Sequence, residues 1–227
     1  MKRIMLMIGC ALIFLASASA QEDASAWISK AKAGDPAAEV KVGDMYAFGQ
    51  GVGRDSSQAA AWFRKASDQG YAEGQYRLGV LYEIGRGVPL EPQTAIRLYK
   101  LAARQGHVPA QYDLGVVYEQ GRGTAKDEPT AAKWYLQAAQ HGKKEAQYKM
   151  GELYEQGRGV QQNYGEAMRW YSAAAAQDDS EAKFKMGHLY EQGLGVPQST
   201  TQAMEWYRKA VEDGNAEAKV ALRALER

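Results

Sequence analysis

The apolar residues of this chain recur at helical spacing in short stretches, each broken by a glycine-rich turn. In one stretch Ala146, Met150, Leu153 and Tyr154 stand at i, i+4, i+7 and i+8, the stripe that one face of an α-helix presents. The next stretch places Ala167, Trp170, Tyr171 and Ala174 in the same way. Between them lies Gly157-Arg-Gly159-Val160, and glycine accepts the left-handed backbone that ends a helix. The pattern predicts a hairpin of two helices, A and B.

The hairpin repeats. Gly43 returns at Gly79, Gly115, Gly151 and Gly187, five copies spaced by thirty-six residues. Tyr46, Tyr82, Tyr118, Tyr154 and Tyr190 keep the register, as do Gly49, Gly85, Gly121, Gly157 and Gly193. A fixed period of this size marks one supersecondary unit stacked repeatedly, since a single hairpin cannot bury its apolar face alone. The expected fold is all-α: a solenoid of five 36-residue helix pairs over 35–70, 71–106, 107–142, 143–178 and 179–214. Residues 21–34, with Trp27 in helix-B register, and 215–227, with Arg223 in place of the mid-helix glycine, read as capping helices.

Boundaries follow from local chemistry. Asp55, Glu91, Asp127, Asn163 and Ser199 precede helix B, and four of those five are favoured N-caps. Gln58, Glu166 and Gln202, three residues on, are placed to complete capping boxes. Gly70, Gly106, Gly142 and Gly214 stop helix B, with Asp178 in the odd copy. The glycines at 43, 79, 115, 151 and 187 sit inside helix A, where each costs about 1 kcal/mol relative to alanine. Close approach of helix B is the expected return, with Trp62, Trp134, Trp170 and Trp206, and Leu98 in the second copy, as the partners.

Composition changes the picture at the N-terminus. Lys2 and Arg3, an apolar run from Ile4 to Ala16, and Ala18-Ser19-Ala20 read as a secretory signal peptide over 1–20. Cys10, the single cysteine, falls inside it; Ala11 to Leu15 continue the apolar run, the wrong placement for lipidation. Removing Lys2 and Arg3 leaves 26 basic against 27 acidic residues, a net charge of −1. That balance gives nucleic-acid binding no support. The expected protein is periplasmic or secreted, without disulfides, stable membrane insertion or cofactor, and monomeric.

The residues Ala146-Gln-Tyr-Lys-Met-Gly-Glu-Leu-Tyr-Glu-Gln-Gly-Arg-Gly-Val160, followed by Ala167-Met-Arg-Trp-Tyr171, resemble the Sel1-like repeat, a relative of the tetratricopeptide repeat. The resemblance implies a right-handed superhelix of helix pairs that serves as a scaffold or adaptor in protein complexes. A cysteine-rich branch of that family binds or slowly hydrolyses β-lactams. This chain lacks its cysteines outside the leader, so that activity is not carried over.

If helix A lines the concave side, as the resemblance implies, a ladder of Tyr76, Tyr112, Tyr148 and Phe184 faces the groove. Glu83, Glu119, Glu155 and Glu191 form a second ladder, and Glu73, Glu145, Glu181 and Glu217 a third. Such a groove suits a protein or peptide segment with basic residues. The competing reading makes the tyrosines inter-repeat packing and the glutamates a solvated face paired with Arg86, Arg122 and Arg158 three residues on.

Other chemistry is thin. His107, His141 and His188 occupy three different columns, and no metal-ligand spacing appears. Gly49-Gln-Gly51-Val-Gly53 follows a helix, the wrong context for a phosphate loop. Ser29-Lys-Ala-Lys32 matches an S-x-x-K pattern without its companion motifs. No catalytic residue is expected. The leading expectation is an exported, non-enzymatic scaffold; a weak cell-wall or β-lactam hydrolase, or a secreted factor that binds a host protein, are the alternatives.

Overall fold

A computed structural model describes residues 24–226. The expected leader over 1–20, with Cys10, lies outside them. The described residues form twelve helices and no strand. Helix α1 covers 24–32, and five pairs follow: α2 (Pro36–Phe48) with α3 (Ser56–Asp68), α4 (Ala72–Ile84) with α5 (Pro92–Arg104), α6 (Val108–Gln120) with α7 (Glu128–Gln140), α8 (Lys144–Gln156) with α9 (Tyr164–Ala175), and α10 (Ser180–Gln192) with α11 (Thr200–Glu212). Helix α12 (Ala216–Leu225) stands last. None of these is long and apolar enough to cross a membrane. The chain is an all-α solenoid of helix pairs, and its described residues divide into two compact units, one ending at Ala110 and the other starting at Gln111.

Within each unit, consecutive helices pack on one another, and in the first α2 also touches α4. The core is alanine at close crossings and one large ring per pair. Tyr99, Tyr135, Tyr171 and Tyr207 are fully buried, and Phe63 holds the same place in the first pair. These rings, not the tryptophans, meet the mid-helix glycines. A Cβ at Gly151 would stand 2.5 Å from the Tyr171 ring, and one at Gly43 would stand 2.4 Å from Phe63. The expectation that the Trp column fills that space is therefore corrected by one residue. One step along a helix turns the side chain by about 100°, so neighbours in sequence serve different contacts. Two of the tryptophans bridge their own pair and the helix before it: Trp62 packs with Val42 and Met45 of α2 and with Trp27 and Ala31 of α1, and Trp206 packs against the cluster that holds Met186 of α10 and Tyr171 of α9.

The caps are as expected in their forward half. Asp55 accepts from the Ser57 and Gln58 N–H groups, Asp127 from Thr130, Asn163 from Glu166 and Ser199 from Gln202. Glu91 makes no such bond. The reciprocal half of the capping box does not form, because the cap N–H is committed elsewhere. In every pair it donates to the carbonyl of the register tyrosine, from Asp55 to Tyr46 through Ser199 to Tyr190, each at 2.9 Å. That bond pairs one of the carbonyls left open at the end of helix A with one of the donors left open at the start of helix B. At the odd turn, Asp178 takes φ +57° in the left-handed region. Its carboxylate reaches Lys183 at 2.9 Å.

The second glycine of three of the turns is more than a cap. A Cβ at Gly159 would lie 2.3 Å from the Glu128 carbonyl oxygen, one repeat back. Gly87 stands in the same relation to Ser56, and Gly195 to Tyr164. In these three the turn after helix A is seated against the first turn of the preceding helix B.

Candidate functional site

The residues expected to bind a partner lie on helix A, and the packing of helix B decides what each can do. Tyr112, Tyr148 and Phe184, in the second unit, are half-buried. Each ring leans on the buried tyrosine of its own pair: Tyr112 on Tyr135 at 5.6 Å between centroids, Tyr148 on Tyr171 at 5.7 Å and Phe184 on Tyr207 at 5.6 Å. Tyr76 in the first unit leans on Tyr99 at 5.7 Å and on the His107 ring at 4.7 Å. The centroid distances fall in the range of attractive aromatic pairs, with the rings tilted between stacked and edge-to-face. One side of each ring is held by the core, and part of the other side is open.

The second ladder has a structural duty. Glu83 accepts the hydroxyl proton of Tyr99 at 2.7 Å, and Glu119 that of Tyr135 at 2.8 Å. Glu155 and Glu191 do the same for Tyr171 and Tyr207. A buried phenol without an acceptor would be costly, and these carboxylates remove the cost. Burial, and then the bond to its glutamate, push each of the Tyr135, Tyr171 and Tyr207 hydroxyls well above the ordinary tyrosine range. They remain donors.

Charge on this face is mixed. Arg158 does not pair with Glu155 three residues before it. It reaches back one repeat, to Glu119 at 2.8 Å and Glu128 at 3.0 Å. Arg86 likewise donates to the Ser56 hydroxyl at 3.2 Å. The expected i, i+3 pairing is corrected here, because the turn after helix A carries the arginine toward the preceding pair. Burial opposes ionisation of Glu119, but the bonds from Tyr135 and Arg158 outweigh it and hold the carboxyl below the usual glutamate range. Lys185 stands 3.4 Å from Glu155, and Lys149 bonds Glu152 at 2.9 Å. Lys143 lies over the Tyr112 ring at 5.5 Å. These lysines were not anticipated, although their columns are legible once the repeats are aligned.

The third ladder is also partly engaged. Glu73 accepts from Arg77 at 2.6 Å and meets His107 Nε2 at 2.8 Å. His107 Nδ1 accepts the Ala110 N–H at 3.2 Å, so the donor proton sits on Nε2. Glu181 accepts from Asn215 at 2.8 Å, and Glu145 pairs with Lys143 at 2.8 Å. Glu217 is exposed on α12. Ser29 and Lys32 are both exposed on α1.

Comparison with known proteins places this arrangement. The Sel1 repeat model matches at 36–71, 72–107, 108–143, 144–179 and 180–215. The chain belongs to the Sel1 repeat family. Sel1 repeats generally act as scaffolds for protein–protein interaction and are generally non-enzymatic. Among solved structures, a protective antigen of uropathogenic Escherichia coli strains is 36% identical, with a TM-score of 0.84 over 88% of this chain. This chain spans 43% of the length of that antigen. A Sel1 repeat protein from Oxalobacter formigenes is 33% identical, with a TM-score of 0.72, covering 85% of this chain and 77% of its own. One from Klebsiella pneumoniae, 20% identical with a TM-score of 0.52 over 90% of this chain and 99% of its own, shares the fold. No curated protein is detectably similar in sequence.

Proposed function

We propose that this Sel1-repeat chain is an exported, non-enzymatic adaptor whose helix-A face holds an extended segment of a partner protein. One observation carries the reading: the row of half-open rings, Tyr112, Tyr148 and Phe184, each set on a buried tyrosine. A ring already held from behind gives up little conformational freedom when a ligand stacks on it, so the contact costs less to form. The glutamates of the second ladder support the row by holding those buried tyrosines. Their remaining charge, interleaved with Lys149 and Lys185, suits a segment with basic side chains among apolar ones. Export rests on the leader pattern of residues 1–20.

The test is photo-crosslinking in the producing cells, with the probe at Tyr112 or Tyr148 and a control at exposed Lys133 of α7. One dominant partner from the two helix-A positions, absent from the control, is the expected result. A folded, exported protein that yields no adduct specific to those positions overturns the proposal. Tyr112→Ala combined with Tyr148→Ala is expected to abolish capture while the helical circular dichroism persists.

A further inference from the structure

A different feature of the first unit deepens that reading and rests on it. We infer that the cleft between α2 and α4 is a specificity pocket for one aliphatic side chain of a partner's peptide segment, whose backbone N–H donates to Asp44.

The cleft has a volume of about 100 Å³ and is walled by Ala47, Ala59, Phe63, Val80, Leu81 and Ile84. An apolar cavity of about 150 Å³ accepts benzene, so this smaller one is on the scale of a single leucine side chain. Phe48 and Ile84 stand at its mouth, 61% and 56% exposed. The third, fourth and fifth repeats carry Gln120, Gln156 and Gln192 at that column. Large exposed apolar side chains gathered around an apolar cleft mark a contact surface.

The cleft exists because two positions changed together. At Ala47 the other four repeats carry glutamate, and at Phe63 they carry tyrosine. In the second unit the equivalent space is filled by polar partners: Glu119 with Tyr135 and Arg158, then Glu155 with Tyr171 and Lys185. Removing only the carboxylate would orphan a buried hydroxyl. Ala47 and Phe63 remove both partners, and an apolar cleft remains.

Its polar edge says what fits. Asp44 lines the cleft with its side chain 22% exposed; Oδ1 is buried, so the oxygen that can take a donor is Oδ2. Arg77 lies 3.8 Å from that oxygen, beyond hydrogen-bond distance. Arg86 closes the far rim but is tied to Ser56 at 3.2 Å and faces the Ala47 carbonyl at 3.5 Å. An apolar side chain with a donor beside it matches a peptide residue and its own N–H; a lipid tail lacks the donor.

The test is a ¹H–¹⁵N titration of the purified chain with acetyl-Ala-Leu-Ala-amide, against acetyl-Ala-Ser-Ala-amide as control. Saturable shifts at Ala47, Phe48, Val80 and Ile84 are expected with the leucine peptide, and binding about tenfold or more weaker with serine, the worth of one buried aliphatic group. Ala47→Glu with Phe63→Tyr, which copies the polar filling of the other repeats, should weaken binding by a similar factor. Val80→Glu, which imports the residue found at Glu152, is the second variant should the first not fold. Absent shifts, equal affinity for both peptides, or full binding by the folded filled variant overturns the pocket. The two readings fail separately: shifts confined to Tyr112 and Tyr148 overturn the pocket and leave the ring row standing. Pocket binding without a crosslink at those tyrosines overturns the ring row instead.

Discussion

The first pair and the fourth pair solve one packing problem in two ways. In both, a mid-helix glycine lets a ring of helix B approach the backbone of helix A: Phe63 at Gly43, Tyr171 at Gly151. In the fourth pair the ring carries a hydroxyl, the hydroxyl recruits Glu155, and Glu155 brings Lys185 to the face. In the first there is no hydroxyl, Ala47 replaces the acid, and the face opens into an apolar cleft. Two columns, the ring's hydroxyl and the acid that meets it, decide whether a repeat presents charge or a pocket. The backbone scaffold and the surface it displays are thus set by different columns, and a solenoid can change one while keeping the other.

The shared half of this comparison should break most heavily. Gly43→Ala and Gly151→Ala each bring a Cβ within 2.6 Å of ring carbons. Both should lose about 1–3 kcal/mol by overpacking, against the helix-propensity gain of about 1 kcal/mol. Urea unfolding followed by circular dichroism reads the balance, and a stabilised variant would refute the close approach. The differing half is next. Phe63→Tyr places a buried hydroxyl where Ala47 offers no acceptor and should cost about 1–3 kcal/mol. Adding Ala47→Glu should recover most of that loss, and a double-mutant cycle with no coupling would separate the two columns.

Caps give a smaller contrast. Asn163→Ala should cost about 1 kcal/mol because its side chain holds the Glu166 N–H. Glu91→Ala, where no cap bond exists, should leave the melting temperature unchanged.

The mildest effect is on pH dependence, and its sign differs between the two units. The folded-state pKa of Glu119 lies below the ordinary 4.5. Its contribution is present above that value and lost as pH falls through the depressed one. Asp44 is raised above 3.8, by burial first and against the pull of Arg77. Its contribution is full below the unfolded value and lost as pH rises through the folded one. At neutral pH Glu119→Gln should therefore destabilise and Asp44→Asn should stabilise. Glu119→Gln alone should flatten the acid limb of the stability profile.

The helices, their turns and most of their caps were legible because each depends on a few neighbouring residues. Asp127 caps whatever helix follows it, and Gly157 ends the one before. The ring that meets the glycine was not legible, since Trp170 and Tyr171 are adjacent, large and apolar. Only the rotation of helix B about its axis chooses between them. The partners of Arg158 and of the cap N–H groups lie across turns, where spacing along the chain says little. The ring row was placed on helix A by its period, but the buried tyrosines behind it became visible only with helix B packed. The missing glutamate at Ala47 was readable as a gap in a column; that the gap is a cleft required the geometry.

The seating of three glycine turns on the preceding pair has a further consequence. Gly87, Gly159 and Gly195 each dock on a residue one repeat earlier, at the same place in the unit. Every such joint is the same joint. A block of 36 residues, the spacing of the repeats, could be cut from 144–179 and leave a fitting turn on either side of the splice. A cut of 35 would leave a turn facing the wrong residue. Growth and loss by whole units is thereby the natural way for such a chain to vary in length, and a unit lost at 144–179 would leave the pocket between the first two repeats unchanged.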